Sequence, residues 1–124
     1  MPIDRQQLSE CDKAAIHSVE LVIEAMENLQ VVLSRRVELL RRSIEFAEPA
    51  ADYEKAVKDS HMTEERENLQ EALNVLEQRR RDSRLAAFRS ALDHGVSISE
   101  LARIWGFSRQ MASRYAKEAR GEIL

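Results

Sequence analysis

The sequence predicts an all-α protein: a long N-terminal helical hairpin or coiled coil, then a compact C-terminal unit of three helices. Three observations carry this. Charged residues make up 33% of the 124 residues and aromatics 5%, a composition of long helices rather than of sheet. Glycine (3) and proline (2) are scarce, so few positions interrupt a helix. Apolar residues recur at helical spacing from Ile16 onward and again from Leu69, and their period shifts near Arg79.

The first element is expected from about Asp4 to Glu48, with Pro49 as its stop. A helix of that length is roughly 65 Å long. Two heptad stripes run along it. The first comprises Ile16, Val19, Ile23, Met26, Gln30, Leu33, Val37, Leu40, Ile44 and Ala47. With β-branched residues at most a positions and Leu33 and Leu40 at d, it suits two parallel strands, and Gln30 is a polar member that can pin the register. The residues from Ile16 to Ile44 in this stripe are the expected homodimer interface. The second stripe is Val22, Ala25, Leu29, Val32, Arg36, Leu39, Ser43 and Phe46. Two stripes make a broad apolar face, which points to a bundle with at least two neighbours.

Residues 50–57 suit a short helix and residues 58–63 a turn, with Thr63 as the cap of a second long helix that starts at Glu64. Leu69, Leu73 and Leu76 form its apolar ridge, backed by Ala72 and Val75. This ridge is narrow. It is expected to fold back on the second stripe, and two such hairpins would then pair through the first into a four-helix dimer. A simple parallel coiled coil is the alternative. The basic run from Arg79 to Arg84 marks the junction, giving a helical oligomerisation region, 1–78, and a C-terminal domain, 79–124.

Leu85, Phe88 and Leu92 are expected on the inner face of the domain's first helix, and Gly95 as its terminator. Ser97 and Glu100 have the spacing of a capping box that opens the next helix. Leu101 and Trp105 face inward with Ile98 or Ile104. Ala102 stands where two helices come closest, Gly106 takes the turn, and Phe107 plugs it into the core. Ser108 caps the last helix, and Ala112 and Tyr115 close the core from it.

Charge is segregated in the same way. Residues 1–77 carry 9 Lys and Arg against 17 Asp and Glu, a balance of −8. Residues 78–124 carry 10 against 5, a balance of +5, and the whole chain stands at −3. A basic C-terminal part on an acidic body has the form of a local nucleic-acid footprint.

The run from Ile98 to Tyr115 resembles the helix-turn-helix DNA-binding superfamily. Counted from Ile98, a small residue is fifth (Ala102), glycine ninth (Gly106), an aromatic tenth (Phe107) and Tyr115 eighteenth. The segment from Gly106 to Tyr115 is similar to the recognition segment of lactose-repressor-type and resolvase-type heads. Ala112 departs from the usual branched aliphatic and Met111 from a frequent threonine. The resemblance covers residues 84–120. It implies base reading by Arg109, Gln110 and Arg114. The few residues after the last helix leave no room for a wing, so a plain three-helix unit is expected.

The side-chain chemistry agrees with that implication. Ser108, Arg109, Gln110, Ser113 and Arg114 are the expected base contacts, since Arg pairs bidentately with guanine and Gln with adenine. Arg79, Arg80, Arg81, Arg84, Ser97, Ser99, Arg103, Lys117 and Arg120 are the expected phosphate contacts.

Other classes are disfavoured. His17, His61 and His94 are far apart in sequence, and no cluster of Cys, His and carboxylate residues stands at ligand spacing, so no metal site is expected. No phosphate-binding loop or dinucleotide pattern occurs, and no nucleophile motif supports a Ser-His-Asp triad. No cofactor or catalytic residue is expected. Cys11, the single cysteine, is expected as a small buried hydrophobe. With no apolar run of membrane length and no signal-like N-terminus, a cytoplasmic protein is expected, associated with the nucleoid if bacterial.

The expected function is therefore a homodimeric, sequence-specific binder of double-stranded DNA, a transcription regulator whose two heads enter successive major grooves about 34 Å apart. The alternative is a helical adaptor, or a phage or plasmid packaging or partition factor, using the long helices to bind a partner protein.

Overall fold

The computed structural model of the chain describes residues 7–45 and 61–121. Among these the protein is all-α, with four helices and no strand: α1 (Glu10–Glu45), α2 (Met62–Asp93), α3 (Ile98–Trp105) and α4 (Arg109–Ala119). No helix among the described residues is long and apolar enough to cross a membrane. The short helix expected at 50–57, the stop at Pro49 and the stripe positions Phe46 and Ala47 lie outside the described residues.

α1 starts later than its sequence pattern suggests. Ser9 Oγ accepts a hydrogen bond from the Asp12 amide at 3.1 Å, and Glu10 and Asp12 occupy the first turn. A serine that satisfies an orphan amide, followed by acids on the positive end of the dipole, is a strong start signal. The helix has 36 residues, or about 54 Å.

α2 corrects two expectations. His61 (φ 56°), not Thr63, precedes the helix, and its carbonyl accepts from the Glu65 amide at 3.0 Å. Thr63 lies within the first turn. The helix then runs for 32 residues straight through Arg79–Arg84. Arginine is a good helix former, and nothing between Glu64 and Asp93 breaks the backbone pattern. The buried face widens there, with every residue from Ser83 to Phe88 buried or half-buried, and the helix does not end.

The chain divides into two compact units. One is Ile23–Gln78. Ala25 and Ala72 are buried in it, and Leu29, Val32, Arg36, Leu39, Leu69 and Leu76 are half-buried. The second stripe of α1 is thus the inward one. Glu65 is 3% exposed and pairs with Arg35 Nε at 2.8 Å, which is the compensation that a buried carboxylate requires. The first stripe points outward: Ile23, Met26, Leu33, Val37, Leu40 and Ile44 are between 40% and 75% exposed.

The other unit joins Met1–Val22 with Arg79–Leu124. Its core is Phe88, Leu101, Ala102, Ala112, Ala116 and Ala119, with Leu85, Leu92, Ile98, Phe107 and Tyr115 packed around them. Alanines on the buried face of α4 allow close helix approach, and the aromatic rings fill the remaining space. Cys11 is half-buried here, not enclosed. Val19 is 48% exposed and Ile16 half-buried.

Asp12 ties the start of α1 to the end of α2 within this unit. Its Oδ1 accepts from Ser90 Oγ at 2.5 Å, and both carboxylate oxygens lie 2.9 Å from His94 Nε2. The bond from Ser90, then that from His94, holds the carboxyl down at about 2, below its ordinary 3.8. In an activated nucleophile the imidazole stands between serine and carboxylate. Here the carboxylate stands in the middle, so the arrangement fastens two helices. The unfolded chain takes up its proton at the ordinary value, so this stabilisation is complete above about pH 4 and is lost as pH falls towards 2. Asp12→Asn is expected to melt below the parent at pH 7. Thermal scans across that acid range should show the difference closing.

Candidate nucleic-acid interface

α3 and α4 are joined by three residues whose geometry follows from local chemistry. The Ser97–Glu100 capping box is formed: Ser97 Oγ accepts from the Glu100 amide at 3.1 Å, and Glu100 Oε2 accepts from the Ser97 amide at 3.3 Å. Gly106 ends α3 at φ 69°, ψ 28°. The Phe107 amide reaches back to the Ala102 carbonyl at 2.9 Å and the Gly106 amide to that of Arg103 at 3.4 Å. This is the Schellman pattern, which needs a left-handed residue where Gly106 stands. Gly95 ends α2 in the same manner. A Cβ on Gly106 would meet nothing within 4 Å, so the cost of Gly106→Ala is conformational. It is expected to be about 1–2 kcal/mol by denaturant titration.

After the turn, Ser108 Oγ accepts from the Met111 amide at 3.1 Å and starts α4. One side of α4 is sealed by Ala112, Ala116 and Ala119. Phe107 lies 5.3 Å from the Tyr115 ring, and Phe88 lies 5.5 Å from Trp105 and 5.9 Å from Tyr115. Trp105 keeps one side in solvent at 40% exposure, and Ile104 is 63% exposed. Ile98, not Ile104, is therefore the isoleucine of α3 that packs on the core.

The open side of α4 is a shallow concave strip lined by Ser108, Gln110, Met111, Ser113, Arg114 and Lys117. Four of the five expected base contacts lie on it. Arg109, exposed at the first residue of the helix, does not line it. The Arg114 guanidinium lies 5.9 Å from the Tyr115 ring centre, at the outer limit of a useful cation–π contact.

Of the expected phosphate contacts, Arg80, Arg81, Ser97, Ser99, Arg103, Lys117 and Arg120 are exposed, and Arg79 and Arg84 are half-buried. Arg81 and Arg84 each reach a partner on α4. Arg81 pairs with Glu118 of α4. Arg84 Nη1 donates to Tyr115 Oη at 2.9 Å, with its guanidinium 5.0 Å from the ring centre. These two arginines brace the back of α4 against α2.

No protein-family model, curated protein or solved structure matches this chain. What it does therefore has to be read from its own residues. Met111 is the residue that sequence reasoning left out. It is 39% exposed on the strip, where an apolar group can meet a thymine methyl. Its spacing from Ser108 and Arg114 was the available signal. The sequence reading noted it only as a departure from a frequent threonine.

Proposed function

We propose that the protein is a homodimeric, sequence-specific binder of double-stranded DNA that acts as a transcription regulator, with α4 as its reading helix. The observation that carries this is the two-sidedness of α4. Three alanines anchor one side, while the other offers Gln110, Met111, Ser113, Arg114 and Lys117 on an open strip. A short helix that follows a tight turn, fixed behind and polar in front, fits a major groove about 12 Å wide. Arg109, Gln110 and Arg114 supply base recognition. Arg80, Arg103, Lys117 and Arg120 supply phosphate attraction. Arg81 and Arg84 hold the helix at its angle.

The hairpin reading belongs to the same proposal. α2 returns along the inward stripe of α1, and the outward stripe joins two copies. The test is selection of bound sequences from a random duplex pool at stated salt. An inverted repeat is the expected winner, and its spacing measures how far apart the dimer holds its two heads. Recovery of no preferred sequence would overturn the reading.

The outward stripe also supports a second reading, an adaptor that docks a different protein on α1. Sedimentation separates them: a monomer at micromolar concentration favours the adaptor, a dimer the regulator.

A further inference from the structure

Along the exposed side of α1 in the Ile23–Gln78 unit, Ile23, Met26, Leu33, Val37 and Leu40 are each at least 40% exposed. They recur at three- and four-residue steps and form one continuous stripe, interrupted in the middle by Gln30. The inward residues of the same helix, Ala25, Leu29, Val32 and Leu39, are already covered or half-covered. Apolar surface arranged in this way calls for a partner.

Charge along the helix has a direction. The N-terminal part of this stretch carries Glu24 and Glu27. The C-terminal part carries Arg35, Arg36, Arg41 and Arg42 against Glu38 and Glu45. Arg35 is held by Glu65 and Arg42 by Glu38, and Arg41 is exposed at the border of the stripe.

We propose that the stripe is covered by a second copy of this chain whose α1 runs antiparallel to the first. This rests on the dimer in the reading above and adds its orientation. A parallel pair sets glutamates beside glutamates at one end and arginines beside arginines at the other. An antiparallel pair sets each acidic end beside a basic one. Single surface pairs contribute little. Orientation is decided by the difference between attraction at both ends and repulsion at both ends.

The apolar spacing accepts this arrangement without a gap. Ile23 falls opposite the partner's Leu40, Met26 opposite the partner's Val37, and Gln30 opposite the partner's Leu33. Each layer matches a β-branched or polar position with a longer side chain. The Gln30 amide then lies near the partner's Ser34, where a hydroxyl can serve as donor or acceptor.

The test uses the full chain with Cys11→Ala to remove the native thiol. Met26→Cys and Val37→Cys are made singly, one of them in a larger tagged chain, and treated with a short bifunctional maleimide. In the antiparallel pair, two copies of the same site are about 16 Å apart along the axis, beyond such a reagent. The expected result is no cross-linking of either variant alone and efficient cross-linking of the mixture. Efficient cross-linking of Met26→Cys alone would overturn the orientation and leave the dimer intact. A sedimenting dimer with no cross-link in any sample would remove the stripe from the interface. A monomer in sedimentation would overturn pairing altogether. None of these readouts involves DNA, so they stand apart from the outcome of sequence selection.

Discussion

Phe88→Ala is expected to unfold the unit that carries α3 and α4 while leaving much of the remaining helix signal in place. Phe88 is 0% exposed, and its ring lies within 6.4 Å of Trp105, Phe107 and Tyr115. Removing it takes away a large apolar side chain and the common neighbour of three other rings. A truncation of this kind costs about 3–5 kcal/mol, much of what a small domain has in reserve. The alanines that line the rest of the core are too short to move into the space. Near-ultraviolet circular dichroism, which reports the packing of Trp105 and the tyrosines, should lose its fine structure. Phe88→Leu is expected to cost less, because it keeps most of the volume. Equal stability of Phe88→Ala and the parent would contradict the packing described.

What could be read in the sequence is what neighbouring residues decide among themselves. The Ser97–Glu100 box, the left-handed turn at Gly106 and the cap at Ser108 each involve residues within a few positions of one another. Their chemistry is complete in the local segment. The stripes of α1 were legible for a related reason. Burial follows the helical period, and the sequence showed two faces of which one is inward and the other outward.

What could not be read depends on partners far along the chain. Asp12 meets Ser90 and His94 across most of the sequence, and nothing near Asp12 announces them. The arginines from 79 to 84 look equivalent as a basic run. Their positions around α2 distinguish them: Arg81 and Arg84 turn towards Glu118 and Tyr115. The four arginines of this run can be divided only when the helix they sit on is seen to continue. That continuity was itself hidden, because a change of apolar period reads equally well as an end or as a change of face.

Arg109→Ala and Arg114→Ala are each expected to lose about 1–3 kcal/mol on the selected duplex, roughly a 5- to 150-fold weakening. They should lose much less on unrelated duplexes. Among the described residues, Arg114 meets the fold at the outer limit of a cation–π contact with Tyr115, so its truncation should leave the melting temperature almost unmoved. Lys117→Ala is the contrast. It sits on the same strip, but in the proposed complex a lysine there would meet phosphate as a point charge. It should weaken all duplexes by a similar factor and reduce the slope of log affinity against log salt by about 1. The comparison separates reading from attraction on one helix, with fluorescence anisotropy at three salt concentrations as the measurement. If Arg114→Ala behaved as Lys117→Ala does, α4 would be an electrostatic anchor and sequence would be read elsewhere. If both bound as the parent, the strip would not face DNA, and the exposed stripe of α1 would become the working surface of the protein.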